Sequence, residues 1–401
     1  MPEEWRGSVL VPIFKNKGDV QSCSNYRGIK LMSHTVKLWE RVVEICEQQY
    51  GFMPRKSTTD AIFALRILME KYRDGQKELH CVFVDLEKAY DRVPREELWY
   101  CMRKSGVAEK YVRVVQNMYE RSRTVVRCAV GQTEEFKVEV GLHQGSALSP
   151  FLFAMVMDQL SEEVKQEFPY TMMFADDIVI CSESREQVEE NLERWRFALE
   201  RRGLKVSRSK TEYMCVNERE GSGTVRLQGE EAKKVQEFKY LGSTVQSNGE
   251  CGKEVKKRVQ AGWNGWRKVS GALCDRKISA RIKGKVYKTV VRPAMLYGLE
   301  TVSLMKRQES ELEVAELKTL RFSLGVTKLD RIRNEYIRRT AHVGRLEDKV
   351  REARLRWFGY VQRREYIASR MLDMELPGRR RRGRPKRRYM DVLNEASGCK
   401  C

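Results

Sequence analysis

The chain reads as an α+β protein, and three features of its sequence lead there. Short runs such as "CVFVDL" (81–86) and "FADDIVI" (174–180) have the β-branched and aromatic make-up of buried strands. Longer stretches such as "TTDAIFALRILMEKYRDGQ" (58–76) space their apolar residues three and four apart, as one face of a helix requires. The two kinds are interspersed without a steady strand–helix–strand rhythm, which argues against a doubly wound parallel sheet.

Taken in order, "VLVPIFKNKGD" (9–19) is a short strand entering a Lys/Gly turn, and "VKLWERVVEICEQQ" (36–49) has a helical period. The helix over 58–76 starts at Thr59 or Asp60, and the strand over 81–86 ends in an acid. Helices over 96–106 and 110–121 follow, then strands "RTVVRCAV" and "EEFKVEVGL" around a Gly131-Gln132 turn. Ser149-Pro150 offers a cap followed by proline at the first helical position, opening the apolar helix over 151–165. After "FADDIVI" comes a helix with Val188, Leu192, Trp195 and Leu199 as its apolar stripe, closed by Gly203. Short strands are expected at 204–206, 211–215, 224–227 and 238–245. Beyond Cys251 the chain turns to basic helices carrying Trp263 and Trp266, and from Arg345 it is arginine-dense.

With 401 residues the chain has room for two or three modest domains and a real core. Its 77 Lys+Arg against 56 Asp+Glu give a formal charge of +21, which draws polyanions, nucleic acid first among them. The longest apolar run, 151–157, is far too short to span a membrane, so no membrane partner is expected. The N-terminus carries early acids and no apolar signal core, so an intracellular protein, nuclear and cytoplasmic rather than secreted, is expected. Eleven cysteines without zinc-like pairs read as reduced thiols. His34, His80, His143 and His342 are dispersed and suggest no triad or zinc cluster.

"FADDIVI" poses the chemical question, because adjacent Asp176 and Asp177 in a strand context repel each other and lose their water. Asp85 ends a second apolar strand run, "VFVD". Taken singly, each is equally a turn acid, since Asp tolerates turn geometry. Set side by side in one sheet, the two strands gather three carboxylates, and one or two Mg²⁺ ions would offset their repulsion. A metal pair about 3.5–4 Å apart serves phosphoryl transfer, activating the attacking oxygen and stabilising the leaving one.

"VFVDLEKAYDRVP", "GLHQGSALSPFLFAMVMDQL" and "FADDIVI" stand in the order and approximate spacing of the palm motifs of reverse transcriptases. The chain most resembles those of non-LTR (long interspersed element) retrotransposons. Flanking blocks agree: "PIFKNKGD", "CSNYRGIKLMS", "GFMPRKSTTDAI", "GLKVSRSKTEYM", "FKYLGSTV" and "VVRPAMLYGLET". The resemblance implies an RNA-directed DNA polymerase that uses Mg²⁺, with Mn²⁺ as a possible substitute. Its partners would be an RNA template, a DNA primer and dNTPs. Asp85, Asp176 and Asp177 would be the catalytic metal-binding acids, joined by the Leu86 carbonyl. Tyr90 matches the aromatic gate against a 2′-hydroxyl, or is a packed core ring. Gln144 and Gly145 match the loop over the nascent base pair, or form a plain strand-to-helix turn. Arg27, and more weakly Lys15, match the grip on the incoming triphosphate, or are solvated charge. Lys210 matches the general acid for departing pyrophosphate, or is an exposed turn lysine.

The implied architecture is the right-hand polymerase fold. Fingers would occupy 1–80, incomplete at the N-terminus, and palm with remaining fingers and primer grip 81–250. A helical thumb would occupy 251–345 and a basic C-terminal segment 346–401. The start leaves no room for an upstream endonuclease domain, so the chain resembles a polyprotein fragment lacking one. A catalytically idle nucleic-acid-binding remnant is the alternative. The run "GRRRRGRPKRR" (378–388) is extended by its Gly383 and Pro385, and reads as a nonspecific nucleic-acid grip, an import signal or an AT-hook arm.

Overall fold

The computed structural model describes residues 7–14, 26–31, 45–53, 55–120, 122–128, 131–146, 148–166, 170–218, 223–363, 367–378, 383 and 386–397. The chain divides into two compact units, one of residues 1–58, 80–213 and 222–234, the other of residues 59–79, 214–221 and 235–401. Helix and sheet mix as an α+β fold demands.

A five-stranded sheet runs in the order Lys233–Lys234, Glu212–Val216, Leu79–Val84, Asp177–Ser182, Thr171–Phe174, most of it within the first unit. Leu79–Val84 and Asp177–Ser182 are antiparallel, with Cys81 opposite Cys181 and Val84 opposite Ile178. Residues 80–84 and 178–182 are all buried, which explains why these strands read as unbroken apolar runs rather than alternating ones. Helix Arg185–Glu200 packs on Asp177–Ser182 and is itself backed by helix Ser149–Ser161. Its expected stripe, Val188, Leu192, Trp195 and Leu199, is wholly buried. Each such side chain contributes about 1.5–3 kcal/mol by leaving water. Ser184 caps this helix by accepting from the Gln187 N–H at 3.2 Å. Gly203 follows at φ +88°, where an added Cβ would also lie 2.6 Å from Pro94 Cγ. A second sheet pairs Gly7–Phe14 antiparallel with Tyr26–Leu31 and parallel with Arg123–Cys128.

Several local expectations are corrected. Gly131-Gln132 is no turn but a short strand, antiparallel to Arg127-Cys128. Ser149 is the first helical residue rather than the cap, and its hydroxyl lies 3.4 Å from the Tyr119 hydroxyl instead of closing the helix end. Residues 204–206 form only a bridge, Val206 with Leu86, and 238–245 resolves into a hairpin of Glu237–Tyr240 and Ser243–Gln246. Of the helix expected over 36–49, residues 36–44 lie outside the described residues. Residues 45–49 are not helical, because Gln48 and Gln49 lie along strand Thr171–Phe174 and are buried there. Sheet pairing outcompetes the helical period.

The second unit joins helix Thr58–Asp74, the hairpin 237–246 and the helices from Gly252 onward. Val255, Leu273, Tyr287, Val291, Leu312, Leu320 and Ile337 form its core. Gly284 lets two segments touch, since a Cβ there would lie 1.7 Å from the Ala341 carbonyl oxygen. At its centre Glu316 is fully buried. Its Oε1 accepts from Arg292 (2.7 Å) and Tyr287 (3.2 Å), and its Oε2 from the Leu346 N–H (3.2 Å) and Arg338 (3.5 Å). Of the basic run, residues 379–382 and 384–385 lie outside the described residues. Gly378, Gly383 and 386–388 are non-helical, and helix Tyr389–Ser397 follows. No helix among the described residues is long and apolar enough to cross a membrane.

Candidate active site

Asp85 follows directly on strand Leu79–Val84, and its backbone is gripped on both sides. Its carbonyl accepts from the Ser207 N–H at 2.8 Å, and the next residue but one, Glu87, donates its N–H to Lys205 at 2.8 Å. Leu86 between them is buried and bridged to Val206. The chain then turns, with the Lys210 and Thr211 N–H groups both donating to the Ser207 carbonyl. That turn brings Lys210 Nζ to 3.0 Å from Asp85 Oδ2. Two predicted residues far apart in sequence thus meet. Both side chains keep solvent contact, so the pair itself adds little stability.

Phe174 pairs with Asp177 across a hairpin whose tip is Ala175-Asp176. Ala175 sits at φ +57°, a conformation that costs a non-glycine residue about 1–2 kcal/mol. The register of the neighbouring pair ends at Val84 and Ile178; continued by one residue, it sets Asp85 opposite Asp177. Like charges so placed repel. The Asp177 carboxyl is pushed up to about 6, by partial removal from water and then by the charges of Asp176 and Asp85. Because the residue keeps an exposed face, the neighbouring charges carry the argument. The Tyr90 hydroxyl is pushed up as well, by burial and then by Asp176. The register thus puts Asp85 and Asp177 at one end of the sheet, next to the tip that carries Asp176.

Among the described residues no group of three or more His, Cys, Asp or Glu side chains forms a ready metal cage. Mg²⁺ keeps several waters and takes one or two carboxylates plus substrate phosphates. Three carboxylate-bearing residues at one strand end, Asp177 among them with its carboxyl pushed up, are a hard-oxygen donor set that fits such an ion.

Tyr90 lies in the one-turn helix Ala89–Arg92, its ring stacked on Phe153 at 4.4 Å and 17°. Its carbonyl accepts from the Leu142 N–H at 2.7 Å, and Gly141 donates to Val93 at 2.9 Å. Gly141 has φ +85°, and a Cβ there would lie 2.6 Å from the Asp91 carbonyl oxygen. The loop so docked carries Gln144, whose Nε2 donates to Asp91 Oδ1 at 3.1 Å, and Gly145 at φ +100°. Lys15 lies outside the described residues. Arg27 sits on strand Tyr26–Leu31 with its backbone opposite Ile13.

Sequence reasoning missed the residues beneath that loop. Tyr119 is buried, stacks on His143 at 4.4 Å, and its hydroxyl accepts from the His143 N–H at 3.4 Å. Arg95 packs over the Tyr119 ring and donates to the Tyr119 carbonyl at 3.0 Å and to Val138. Burial lowers the pKa of its guanidinium. The only signal was Tyr119 continuing the apolar face of its helix.

In the second unit the "FKYLGS" hairpin turns through Leu241 (φ +46°) and Gly242 (φ +82°), the two positive angles of a tight hairpin loop. Glu254, fully buried, accepts from the Ser243 hydroxyl at 3.0 Å and the Thr244 N–H at 2.6 Å, and pairs with Arg258 at 3.1 Å. Arg66 grips the same strand through Ser243 Oγ (3.0 Å) and the Thr244 carbonyl (2.8 Å).

A family model described as reverse transcriptase (RNA-dependent DNA polymerase) matches residues 14–245. The chain belongs to the reverse transcriptase family. Asp85, Tyr90, Gln144, Gly145, Asp176, Asp177 and Lys210 all lie inside that span. A probable RNA-directed DNA polymerase from transposon BS of Drosophila melanogaster is 24% identical over 94% of this chain and 45% of its own length. The RNA-directed DNA polymerase from mobile element jockey of the same fly is 24% identical over 87% of this chain and 41% of its own. The resemblance to non-LTR retrotransposon enzymes is thereby borne out, and this reverse transcriptase chain spans under half the length of those relatives. Among solved structures, apo telomerase from Candida tropicalis aligns over 92% of this chain and 64% of that one. Its identity is 11% and its TM-score 0.45, a likeness too distant to add to the fold.

Proposed function

We propose that this chain is an RNA-directed DNA polymerase that extends a primer 3′-hydroxyl with dNTPs on an RNA template. The observation that carries the reading is the strand register, which continued by one residue sets Asp85 opposite Asp177 beside the hairpin tip bearing Asp176, with Lys210 Nζ 3.0 Å from Asp85. Asp85 and Asp176 would hold Mg²⁺, or Mn²⁺ in its place, with Asp177 and the Leu86 carbonyl in support. The ion's role when bound is to lower the charge on the reacting phosphate and hydroxyl oxygens.

The remaining roles belong to the chain's own side chains. Lys210 holds a proton at Nζ beside the acids, where a departing pyrophosphate could take it. The Tyr90 ring, fixed by Phe153, is the plate under the incoming sugar, and a 2′-hydroxyl would strike it. Gln144 and Gly145 cover the nascent base pair, held by Asp91 and Tyr119. Arg27 and Lys15 would grip the triphosphate. Positioning and charge stabilisation then supply most of the rate.

On this reading the sheet-bearing unit supplies the palm, the Glu254-pinned hairpin the primer grip, and the helices from Gly252 the thumb. The basic run at 378–388 adds a nonspecific grip on template–primer and directs the protein to the nucleus. Extension of an oligo(dT) primer on poly(rA) tests the activity. Full-length protein should extend it and Asp176→Ala should not; folded wild-type protein with no more extension than Asp176→Ala would sink the reading.

A further inference from the structure

The Ala175-Asp176 tip is strained at Ala175, yet it carries an acid whose placement the chemistry depends on. Something outside the hairpin must hold it. Gln49 is 0% exposed and reaches that tip from a segment 126 residues earlier. Its Oε1 accepts from the Ala175 N–H at 3.0 Å and from the Gly51 N–H at 2.9 Å. Two N–H donors converging on one side-chain atom fix that atom as the carbonyl oxygen, since the amide nitrogen cannot accept.

The surrounding backbone makes the contact unavoidable. Tyr50 donates its N–H to the Met173 carbonyl at 2.7 Å, and Met173 donates to the Gln48 carbonyl at 2.9 Å. Gly51 presses so close that a Cβ there would lie 2.5 Å from the Ala175 nitrogen. Meanwhile Gln49 Nε2 is buried with no hydrogen-bond partner among the described residues. An unsatisfied buried donor costs about 1–3 kcal/mol, which a side chain chosen for stability alone would avoid.

We propose that Gln49 is the positioning residue of the Asp176-Asp177 hairpin, holding its strained tip by one amide oxygen so that both acids face the substrate. This rests on the polymerase reading for its catalytic consequence, though not for its geometry. Methionine at 49 keeps the length and apolar packing and removes the acceptor.

The experiment measures primer extension and amide hydrogen exchange on the full chain. In Gln49→Met, kcat should fall about tenfold while KM for dTTP stays within about twofold, the pattern of lost alignment rather than lost binding. Exchange in peptides covering 174–178 should quicken about tenfold, because the Ala175 amide loses its acceptor. Val112→Ala, a core change in the same unit, should lower the melting temperature and leave both readouts alone. Gln49→Asn, a milder polar change one methylene short of both donors, should quicken the same exchange even where the methionine variant folds poorly. Wild-type exchange in Gln49→Asn, or equal effects from Val112→Ala, would overturn the proposal. Absence of extension in wild type would instead remove the polymerase reading, and the exchange data would still decide the role of Gln49.

Discussion

Two sets of carboxylates, one in each unit, differ sharply in their surroundings. Glu316 in the second unit is fully buried and meets two arginines, a tyrosine hydroxyl and a backbone N–H. Glu254 is equally buried and meets one arginine, a serine hydroxyl and a backbone N–H. In the first unit Asp85 and Asp177 stand at one sheet end beside the tip bearing Asp176, Lys210 touches Asp85, and the Asp177 carboxyl is pushed up by partial removal from water and then by Asp176 and Asp85. Glu316 and Glu254 are each met by cations and hydrogen-bond donors inside the core, whereas Asp85 and Asp177 stand at a strand end beside another acid.

That contrast is broken most severely by swapping which acid is lost. Glu316→Ala leaves Arg292 and Arg338 buried around an empty centre and should cost about 3–5 kcal/mol of stability. Urea unfolding of the full chain should show it, with activity lost only as folded protein is lost. Asp176→Ala should do the reverse, cutting extension by about a thousandfold or more while unfolding at the same or higher urea. If Asp176→Ala were the destabilising change and Glu316→Ala the silent one, the division of labour would be wrong.

The same contrast marks what the sequence could tell. The acids were legible because each borders an apolar strand run, and the stripe of Val188, Leu192, Trp195 and Leu199 was legible because helical spacing is local. Glu254, Glu316 and Gln49 were not, because their partners lie in other segments and no periodicity encodes an ion pair or an amide contact. The run over 36–49 shows the conflict directly: a helical spacing gave way at Gln48 and Gln49 to pairing with Met173. The C-terminal segment was read for charge alone. Its helix Tyr389–Ser397 instead seats Tyr389 edge-on to Phe63 at 4.9 Å, with its N–H donated to Glu70 at 3.0 Å. Removing residues 378–401 would therefore strip core as well as charge.

Tyr90 tests the chemical side more gently. Tyr90→Val deletes the ring stacked on Phe153, which should cost about 0.5–1.5 kcal/mol beyond lost burial. Discrimination against ribonucleotides should fall about 10- to 100-fold, the scale set by filling or emptying one pocket. Competing rATP and dATP in the extension assay measures it. Unchanged discrimination with the expected stability loss would reduce Tyr90 to core.

The smallest effect is also the most direct reading of the crowding beside Asp177. Asp177 is held near pH 6 in the fold, whereas an unfolded aspartate titrates near about 3.9. Between those values the folded chain binds a proton that the unfolded chain has released. The stability this gives is full below about pH 4 and is lost as pH rises through about 6. Since Asp177 is partly open to solvent, screening should keep the change to about 1 kcal/mol or less. Asp177→Asn, which cannot ionise, should remove that decline between pH 4 and 7 and leave the steeper acid limb from other groups in place. Millimolar Mg²⁺ should flatten the wild-type curve in the same window, because a cation beside the acids favours their ionised forms. Urea midpoints at closely spaced pH values, with and without Mg²⁺, give both comparisons. Parallel curves for the two proteins would mean that the crowding at the sheet end is too well solvated to matter. A Mg²⁺ effect that persists in Asp177→Asn would shift the metal's hold to Asp85 and Asp176 alone.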